Sequence, residues 1–315
     1  MIKLIIQIPC FNEEETLGLT LAALPRELPG IDTIEWLVID DGSIDRTIDV
    51  AKKHGVDHII PHHKNLGLAK AFMNGINACL KLGADVIVNT DADNQYCADD
   101  IPKLISPILK EKAEIVIGAR PIDQIKDFSV LKKFLQKLGS WTVRLASNTD
   151  IQDATSGFRA ISRKAARKIN IFDNYTYTLE TIIQAGQKDI PITWVPVRTN
   201  ENLRPSRLMN NVPAYIRKSI FTILRVFAVY KPFRFFISIG AVLFTAGSLI
   251  AGRFLWFYSI GQGGGKIQSL ILASILIGLG FQAAIVAFIA DLLSVNRRLL
   301  EDLQSRLKRH KADDD

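Results

Sequence analysis

The first part of the chain alternates short, almost wholly apolar runs with segments of helical periodicity. Short apolar runs bounded by polar turns predict buried strands, and apolar positions three and four apart predict helices that pack on them. This alternation is typical of an α/β domain with a parallel sheet between helices. The predicted strands are Lys3–Pro9, Ile34–Asp40, Asp57–Pro61, Ala84–Thr90, Glu114–Gly118 and Ile192–Val197. The predicted helices are one ending near Pro25, then Ile44–His54, Leu68–Leu82 and Pro102–Lys110.

Later segments follow other patterns. The stretch from Phe128 to Ile169 is basic, and its pattern predicts mostly helix. Pro213–Phe227 has apolar positions toward one side and basic residues between them, which predicts an amphipathic helix on a membrane surface. Two uncharged runs come next, Phe235–Gly252 and Ile267–Ala290. As helices they extend roughly 27 and 36 Å, enough to cross a bilayer, the second with some tilt.

Charge sets the expected orientation of these two helices. The net charge of +7 includes basic residues that crowd beside the uncharged runs, whereas the connector Ser259–Lys266 carries a single lysine. By the positive-inside rule, both termini and the N-terminal domain lie in the cytoplasm, and the protein crosses the plasma membrane twice. We expect no nucleic-acid partner. The flanking basic residues are Arg217, Lys218, Arg225, Lys231, Arg234, Arg297, Arg298, Arg306, Lys308 and Arg309.

Small residues in the apolar runs allow helices to approach closely. They occur as Gly247-x-x-x-Ala251 and as Gly278-x-Gly280. Such spacings serve either the packing of two helices within one chain or a homo-oligomer built through the membrane helices. The sequence leaves both open.

Polar side chains gather at the carboxyl ends of three predicted strands. In open α/β sheets, ligands bind outside these ends. So many carboxylates in one crevice repel each other, and a divalent cation is their natural partner. The three stretches are Pro9-Cys10-Phe11-Asn12-Glu13-Glu14, Asp40-Asp41-Gly42-Ser43 with Asp45 beyond it, and Asp91-Ala92-Asp93-Asn94-Gln95.

The spacing Asp91-x-Asp93 suits a hard cation, since alternate side chains leaving a strand can reach one ion directly or through water. Mg²⁺ or Mn²⁺ would take its other ligands from a diphosphate. An isolated D-x-D is usually a turn cap, but its place beside two other acidic strand ends favours a metal site. Asp40 and Asp41 leave two roles to assign: one caps the following turn and helix, and the other accepts hydrogen bonds from a base or ribose.

These motifs carry a resemblance. Pro9-x-x-Asn12-Glu13, Asp40-Asp41-Gly42-Ser43-x-Asp45-x-Thr47, Asn65-x-Gly67 and Asp91-x-Asp93 together resemble the family-2 glycosyltransferases of the GT-A fold. The most similar group is the polyprenyl-phosphate sugar transferases, including dolichol-phosphate mannose synthases and bacterial undecaprenyl-phosphate glucosyltransferases. The resemblance covers roughly residues 3–210. It implies a Rossmann-like nucleotide-sugar-binding domain with a mostly parallel sheet. It implies nucleotide-sugar contacts from Pro9, Asn12, Glu13, Asp40, Asp41, Gly42 and Asp91, and metal and diphosphate contacts from Asp91, Asp93 and Gln95.

Two later stretches resemble the acceptor side of the same group. Ser156-Gly157-Phe158-Arg159 is similar to its Ser-Gly-Phe-Arg stretch, and Arg204-Pro205-Ser206-Arg207-Leu208 to its basic loop before the membrane. Mannose synthases carry a Gly-x-Ser-Lys-type loop, so the form found here favours glucosyl or aminoarabinosyl transfer. Arginine binds phosphate bidentately. Contact with anionic lipid headgroups is an alternative role for Arg207 and, less so, for Arg204. The candidates for the acceptor phosphate are Arg120, Lys137, Ser140, Arg159, Arg204, Ser206 and Arg207.

The expected organisation is a catalytic domain over 1–205, juxtamembrane amphipathic helices over 206–232, two transmembrane helices within 233–293 (about 235–257 and 267–290), and a basic cytoplasmic tail over 294–315. The expected reaction is inverting transfer of a hexose, favoured as glucose from UDP-glucose, to polyprenyl (undecaprenyl) phosphate. Asp91, Asp93, Gln95 and Arg204 are the expected catalytic residues. GDP-mannose or a UDP-aminosugar as donor stays open, as does a non-catalytic membrane scaffold that binds nucleotide-sugar. A processive polysaccharide synthase is disfavoured, because the sequence has no Gln-x-x-Arg-Trp motif.

Overall fold

The computed structural model describes residues 1–121, 130–171, 177–200, 212–261 and 267–313. The chain divides into two compact units, Met1–Ser219 with Gln304–Asp315, and Ile220–Leu303. The strands are β1 (Lys3–Cys10), β2 (Thr33–Asp40), β3 (His58–Pro61), β4 (Val86–Asn89), β5 (Ile115–Ala119), β6 (Arg159–Ser162) and β7 (Ile192–Pro196). The helices are α1 (Leu17–Ala23), α2 (Thr47–Lys53), α3 (Leu68–Lys81), α4 (Ile101–Leu109), α5 (Val130–Ser147), α6 (Arg163–Lys168), α7 (Tyr177–Gln187), α8 (Val212–Tyr230), α9 (Pro232–Ser259) and α10 (Ile267–Asp313).

The strands of the described residues form one sheet in the order β3-β2-β1-β4-β6-β5-β7. Neighbouring strands are parallel except at β6, which runs antiparallel to both β4 and β5. The predicted mostly parallel α/β sheet is thus confirmed. The prediction of mostly helix from Phe128 to Ile169 was wrong for β6, since this four-residue strand begins with an arginine and has too few positions to show a period of two.

The middle of the sheet brings the three polar strand ends together. β1 lies between β2 and β4 and is parallel to both, with Cys10 opposite Asp40 and Gln7 opposite Asn89. The carboxyl ends of these strands therefore open on one edge of the sheet, as the sequence predicted. This edge is the crevice in which ligands bind in open α/β sheets.

Successive side chains of a strand point to opposite faces of the sheet. In this domain helices cover both of those faces. Leu4, Ile6 and Ile8 of β1 belong to the core that also contains residues of α1, α2 and α4. The intervening Gln7 faces α3, where a Cβ added to Gly75 would come within 2.4 Å of the Gln7 side-chain oxygen. Gly75 therefore allows α3 to lie directly on a buried polar side chain.

The second unit is dominated by α9 and α10. Pro232–Ser259 and the part Ile267–Arg297 of α10 have mean hydropathies of 2.0 and 2.3 and are long and apolar enough to cross a membrane. They include the predicted segments 235–257 and 267–290. Beyond the apolar part, α10 remains helical to Asp313. The predicted tail over 294–315 is therefore a continuation of the helix over most of its length.

Glycines set the contact between α9 and α10. A Cβ on Gly280 would lie 2.8 Å from the carbonyl oxygen of Gly240, and a Cβ on Gly247 would lie 2.9 Å from that of Ala273. Gly278 instead faces open space. Of the small residues marked by the sequence, Gly247 and Gly280 thus pack helices of one chain, whereas the homo-oligomer stays a prediction.

Candidate active site

Hydrogen bonds join the loop after β1 to the loop after β2. The backbone N–H of Asn12 donates to Ser43 Oγ at 2.9 Å, and the Asn12 side-chain oxygen accepts from the N–H of Ile44 at 2.9 Å. The N–H of Glu13 donates to Thr47 Oγ1, also at 2.9 Å. Asn12 has a φ of 54°, a left-handed conformation that asparagine tolerates better than most residues. The predicted nucleotide-binding residues Asn12 and Glu13 therefore lie where two loops are fixed to each other.

Asp41 fixes the loop that precedes α3. Its two carboxylate oxygens accept hydrogen bonds from the backbone N–H groups of Leu66 and Gly67, both at 2.9 Å. His62 Nδ1 lies 2.8 Å from the same carboxylate, and His62 Nε2 lies 2.9 Å from Asn74 Nδ2. Since an amide nitrogen only donates, His62 Nε2 accepts and Nδ1 donates to Asp41. Asp41 therefore fixes the backbone before α3, whereas the turn that follows the two aspartates is bonded by Asp40, through the N–H of Ser43.

Asp40 has one oxygen available for a ligand. Its Oδ2 accepts from the N–H of Ser43 at 3.3 Å, while its Oδ1 is buried and has no hydrogen-bond partner in the described part of the chain. Gly42 makes the turn with a φ of 77°, and a Cβ there would lie 2.6 Å from the carbonyl carbon of Lys64. A buried polar atom without a partner is costly. A hydrogen-bond donor on a base or ribose would remove that cost.

Asp91 and Asp93 lie half-buried in the loop after β4. Asp93 Oδ1 accepts from the N–H of Gln95 at 3.1 Å. Burial, and next the Asp93 carboxylate, raise the pKa of Asp91 to about 7, although Arg120 and Arg159 act in the opposite direction. Negative charge on Asp91 is thus poorly compensated by the protein alone, and a bound cation would compensate it.

The residues of this loop fit the predicted Mg²⁺ or Mn²⁺. Within residues 1–121, 130–171, 177–200, 212–261 and 267–313, no group of three or more His, Cys, Asp or Glu side chains forms a complete metal site. Such a closed set is not needed, because Mg²⁺ is usually bound by one or two carboxylates together with substrate phosphates and water. Asp91 and Asp93 would provide the two carboxylates, and Gln95 follows in the same turn.

Arg120, a predicted acceptor residue, is paired within the protein. Its Nε donates to Asp153 Oδ2 at 2.7 Å and its Nη2 to Asp153 Oδ1 at 3.1 Å. Nη2 also donates to Thr155 Oγ1 at 2.8 Å. The guanidinium group therefore fixes the start of the segment Asp153–Gly157.

Two further acceptor candidates bond to the same segment. Ser140 Oγ accepts from the N–H of Ala154 at 3.2 Å. Arg159 is wholly buried, and its Nη2 donates to the carbonyl oxygen of Ser156. Burial lowers the pKa of Arg159. The structure thus places these side chains beneath the segment Asp153–Gly157 and not on the surface.

The other acceptor candidates have different positions. Lys137 lies exposed on α5. Arg204, Ser206 and Arg207 lie outside the described residues, so their roles stay predictions.

Gly157 brings this segment against Asp91. A Cβ on Gly157 would lie 2.8 Å from each carboxylate oxygen of Asp91. The Gly157 N–H donates to the Tyr96 hydroxyl at 3.0 Å, and its carbonyl accepts from Asn89 Nδ2 at 2.8 Å. The donor-side loop and the predicted acceptor segment therefore meet without a side chain between them.

A buried polar network supports this contact, and the sequence analysis did not predict it. Gln7 Nε2 donates to Asn89 Oδ1 at 2.9 Å, and Asn89 Nδ2 also lies 3.2 Å from the Tyr177 hydroxyl. Gln7 and Asn89 are polar residues within otherwise apolar strands. That irregularity was the available signal, because a buried amide must find partners.

Comparison with known proteins agrees with this arrangement. Residues 5–170 match the family described as Glycosyl transferase family 2. The UDP-N-acetylglucosamine–dolichyl-phosphate N-acetylglucosaminyltransferase of Methanococcus voltae is 30% identical over 214 residues, covering 61% of this chain and 83% of that protein. The undecaprenyl-phosphate mannosyltransferase of Micrococcus luteus is 28% identical over 210 residues, covering 62% and 84%.

A solved structure shows the same fold. Glucosyl-3-phosphoglycerate synthase from Mycobacterium tuberculosis, in complex with Mn²⁺, UDP and glucosyl-3-phosphoglycerate, superimposes with a TM-score of 0.56 at 20% identity, covering 71% of this chain and 79% of that one. At this identity the likeness concerns the fold alone. The family match, the sheet and the polar strand ends lead to one conclusion: this chain belongs to glycosyl transferase family 2 and has the GT-A fold.

Proposed function

We propose that this protein transfers a hexose from a nucleotide-sugar to the phosphate of a polyprenyl lipid at the cytoplasmic face of the membrane. The proposal rests on one observation: the chain combines the polar strand ends of a family-2 domain with two helices long and apolar enough to cross a bilayer. The relatives named for transfer to dolichyl and undecaprenyl phosphate support the choice of acceptor. We favour glucose from UDP-glucose as donor and undecaprenyl phosphate as acceptor.

The donor lies across the carboxyl ends of β1, β2 and β4 in this proposal. Asp40 accepts a hydrogen bond from the base or ribose through its unpaired buried oxygen. Asn12 and Glu13 line the nucleotide from the fixed loop after β1, together with Pro9 and Gly42. Asp41 contributes indirectly, because its carboxylate already holds the backbone of Leu66 and Gly67.

Asp91, Asp93 and Gln95 hold the cation and the donor diphosphate. A bound Mg²⁺ or Mn²⁺ would neutralise charge on the diphosphate leaving group. The protein's own contribution is to fix the two carboxylates. Asp93 is held through the N–H of Gln95, and Asp91 lies against Gly157.

The acceptor phosphate attacks the anomeric carbon directly. A bond forms between a phosphate oxygen and the anomeric carbon, the bond from that carbon to the donor diphosphate breaks, and the configuration inverts. A phosphate oxygen is already ionised near neutral pH, so no side chain has to remove a proton from it. The residues therefore act by holding two anionic groups in line and by lowering their repulsion.

The remaining candidates for the acceptor phosphate are one exposed lysine of α5 and three residues outside the described part of the chain. We assign this role to Lys137 on α5 and to Arg204, Ser206 and Arg207. Arg120, Ser140 and Arg159 support the segment Asp153–Gly157 beside them. Losing one charge-assisted phosphate contact in Arg204→Ala costs about 1.5–3 kcal/mol, or roughly ten- to a hundredfold in transfer efficiency.

A transfer assay tests the proposal. The purified protein in nanodiscs is given Mn²⁺, undecaprenyl phosphate and, in turn, UDP-glucose, UDP-N-acetylglucosamine and GDP-mannose. We expect transfer with inversion, and loss of metal-dependent transfer in Asp91→Asn and Asp93→Asn with the melting temperature retained. Turnover with another of these sugars would correct only the donor. Binding without turnover on any of them would indicate a nucleotide-sugar-binding scaffold.

The acceptor is tested separately through Arg204→Ala. We expect a higher KM for undecaprenyl phosphate, while donor affinity by calorimetry stays within a few-fold of the wild type. A collapse of donor affinity with an unchanged lipid dependence would move Arg204 to the donor diphosphate. No change in either would leave Arg204 as a lipid headgroup contact.

A further inference from the structure

We propose that Tyr177 is a positioning residue for Asp91: its buried hydroxyl lies beside the Asp91 carboxylate and, with the donor and a cation bound, donates the hydrogen bond that sets the orientation of that carboxylate. This inference rests on the proposed function, because it assumes that Asp91 serves the donor. It adds a residue of α7 to a site otherwise made by strand ends.

Tyr177 is firmly placed. It is the first residue of α7, is 2% exposed, and stacks on Phe72 of α3 with ring centroids 4.1 Å apart. The guanidinium carbon of Arg159 lies 5.2 Å from the centre of the same ring. With both faces of the ring in contact, the hydroxyl oxygen has little freedom to move.

The hydrogen bonds around Tyr177 assign a role to its oxygen but not to its hydroxyl hydrogen. Gln7 Nε2 donates to Asn89 Oδ1, and Asn89 Nδ2 donates to the carbonyl oxygen of Gly157. Both contacts fix the orientation of the Asn89 amide, so its Nδ2, 3.2 Å from the Tyr177 oxygen, acts as the donor there too. The phenol oxygen accepts from Asn89, and its own hydrogen needs another acceptor.

The Asp91 carboxylate borders the same space, although no hydrogen bond joins it to the Tyr177 hydroxyl in the described residues. Both carboxylate oxygens of Asp91, at 2.8 Å, and the Tyr177 hydroxyl, at 3.0 Å, surround one point, which is where a Cβ on Gly157 would lie. The missing side chain of Gly157 thus leaves a space that the hydroxyl and the carboxylate both border. A phenol carries its hydrogen at neutral pH, so the Tyr177 hydroxyl can act as a donor toward Asp91.

The expected consequence is an ordered chain of hydrogen bonds from the sheet core to the site, running Gln7, Asn89, Tyr177, Asp91. Hydrogen bonds to a ligating carboxylate orient it, and their loss typically costs ten- to a hundredfold in metal affinity or activity. Tyr177 therefore acts through Asp91 and touches neither substrate.

Tyr177→Phe is the test, because it removes one oxygen and keeps the ring that stacks on Phe72. Mn²⁺ is titrated into the protein with UDP, with free Mn²⁺ followed by electron paramagnetic resonance, and transfer kinetics are measured alongside. We expect Mn²⁺ affinity to fall about tenfold and kcat to fall with it, while the KM for undecaprenyl phosphate stays within about twofold, as expected for a group that acts only through Asp91. Tyr258→Phe, at an exposed tyrosine of α9, is the matched control and should leave all three quantities unchanged.

Gly157→Ala is the second variant. The backbone of Gly157 is not in the left-handed region, so alanine can adopt the same conformation. Its methyl group would enter the shared space, and we expect the same loss of Mn²⁺ affinity. Wild-type Mn²⁺ affinity in Tyr177→Phe, or a change in the lipid KM alone, overturns the role of Tyr177 and leaves the proposed function standing. Failure of the wild-type protein to bind Mn²⁺ with UDP overturns the proposed donor site and this inference together.

Discussion

Arg120 and Asp153 form a buried bidentate ion pair, with Nε to Oδ2 at 2.7 Å and Nη2 to Oδ1 at 3.1 Å. The side chains are 8% and 1% exposed. Burial by itself raises the pKa of Asp153, but the charge and hydrogen bonds of Arg120 outweigh it, and the pKa is lowered. The pair is therefore charged on both sides, and it anchors the segment that carries Gly157 to Asp91.

Breaking this pair should destabilise the catalytic domain. Arg120→Met leaves the Asp153 carboxylate buried without its partner, which typically costs about 3–5 kcal/mol. The exposed pair of Arg46 with Glu14, whose side chains are 82% and 36% exposed, is the control. Arg46→Met should change the free energy of unfolding by less than about 1 kcal/mol. Thermal unfolding of the purified protein in detergent measures both, and equal melting temperatures for the two variants would contradict the prediction.

The adjacent aspartates should separate binding from stability. Asp40→Asn alters the oxygen that has no partner in the described chain, so we expect UDP binding to weaken about tenfold, the loss of roughly one hydrogen bond to a charged group. Asp41→Asn places an amide hydrogen against the N–H of Leu66 or Gly67, so we expect a loss of about 1–3 kcal/mol in stability. Calorimetry with UDP and thermal unfolding distinguish them. The reverse assignment of effects would show that Asp41 is the nucleotide contact.

Asp100 should make the stability of the folded domain depend on pH. Its buried carboxylate accepts from the backbone N–H of Arg198 at 2.7 Å and from Arg198 Nη2 at 3.0 Å, and Lys103 Nζ lies 2.8 Å away. Burial alone raises the pKa, but the hydrogen bonds from Arg198 and Lys103 prevail and lower the pKa of Asp100 to about 2. The pKa in the unfolded chain is about 3.9, so the stabilisation is complete above that pH and is lost as the pH falls toward 2.

Asp100→Asn tests this sign. We expect the variant to be less stable than the wild type by about 1–2 kcal/mol at pH 7, and the difference to shrink between about pH 4 and pH 2. Lys103→Met, which removes a half-exposed partner, should have a smaller effect at every pH. A difference that stays constant from pH 7 to pH 3 would show that Asp100 stabilises through its shape and not its charge.

The strand ends of this protein could be predicted from sequence, because local pattern and chemistry agree there. Lys3–Cys10 is an apolar run that stops at a polar turn, so both the strand and the position of Asn12 follow from neighbouring residues. Asp40 and Asp91 were placed together by the rule for parallel strands, and the sheet order bears this out. In each case the determining residues lie within a few positions of one another.

The partners of buried side chains could not be predicted in this way. Arg159 was expected at an acceptor phosphate, from the resemblance of its stretch and because arginine binds phosphate, yet its guanidinium donates to Ser156 and Thr178 inside the domain. Tyr177 meets Asn89 across 88 positions of sequence. Such contacts depend on how β6 and α7 pack at the centre of the sheet. The local spacing of apolar and polar residues does not predict that packing.

The glycines of α10 provide the last prediction, with a matched pair in one helix. A Cβ on Gly280 would lie 2.8 Å from the Gly240 carbonyl oxygen and 2.8 Å from the Phe244 nitrogen, whereas Gly278 has open space around it. Helices in a membrane associate largely through close packing. Gly280→Leu must therefore push α9 and α10 apart, and we expect a clear fall in the melting temperature in detergent.

Gly278→Leu is the control on the same helix. A Cβ at Gly278 would meet no atom of the described residues within 4 Å, so we expect an unchanged melting temperature for the monomer. The same variant also tests the predicted homo-oligomer, because a leucine would block close approach of a second chain at this position. If the wild type migrates as an oligomer in mild detergent and Gly278→Leu as a monomer, the open face of α10 is the contact between copies. If Gly278→Leu lowers the melting temperature of a monomer as much as Gly280→Leu does, the packing of α9 on α10 described above is wrong.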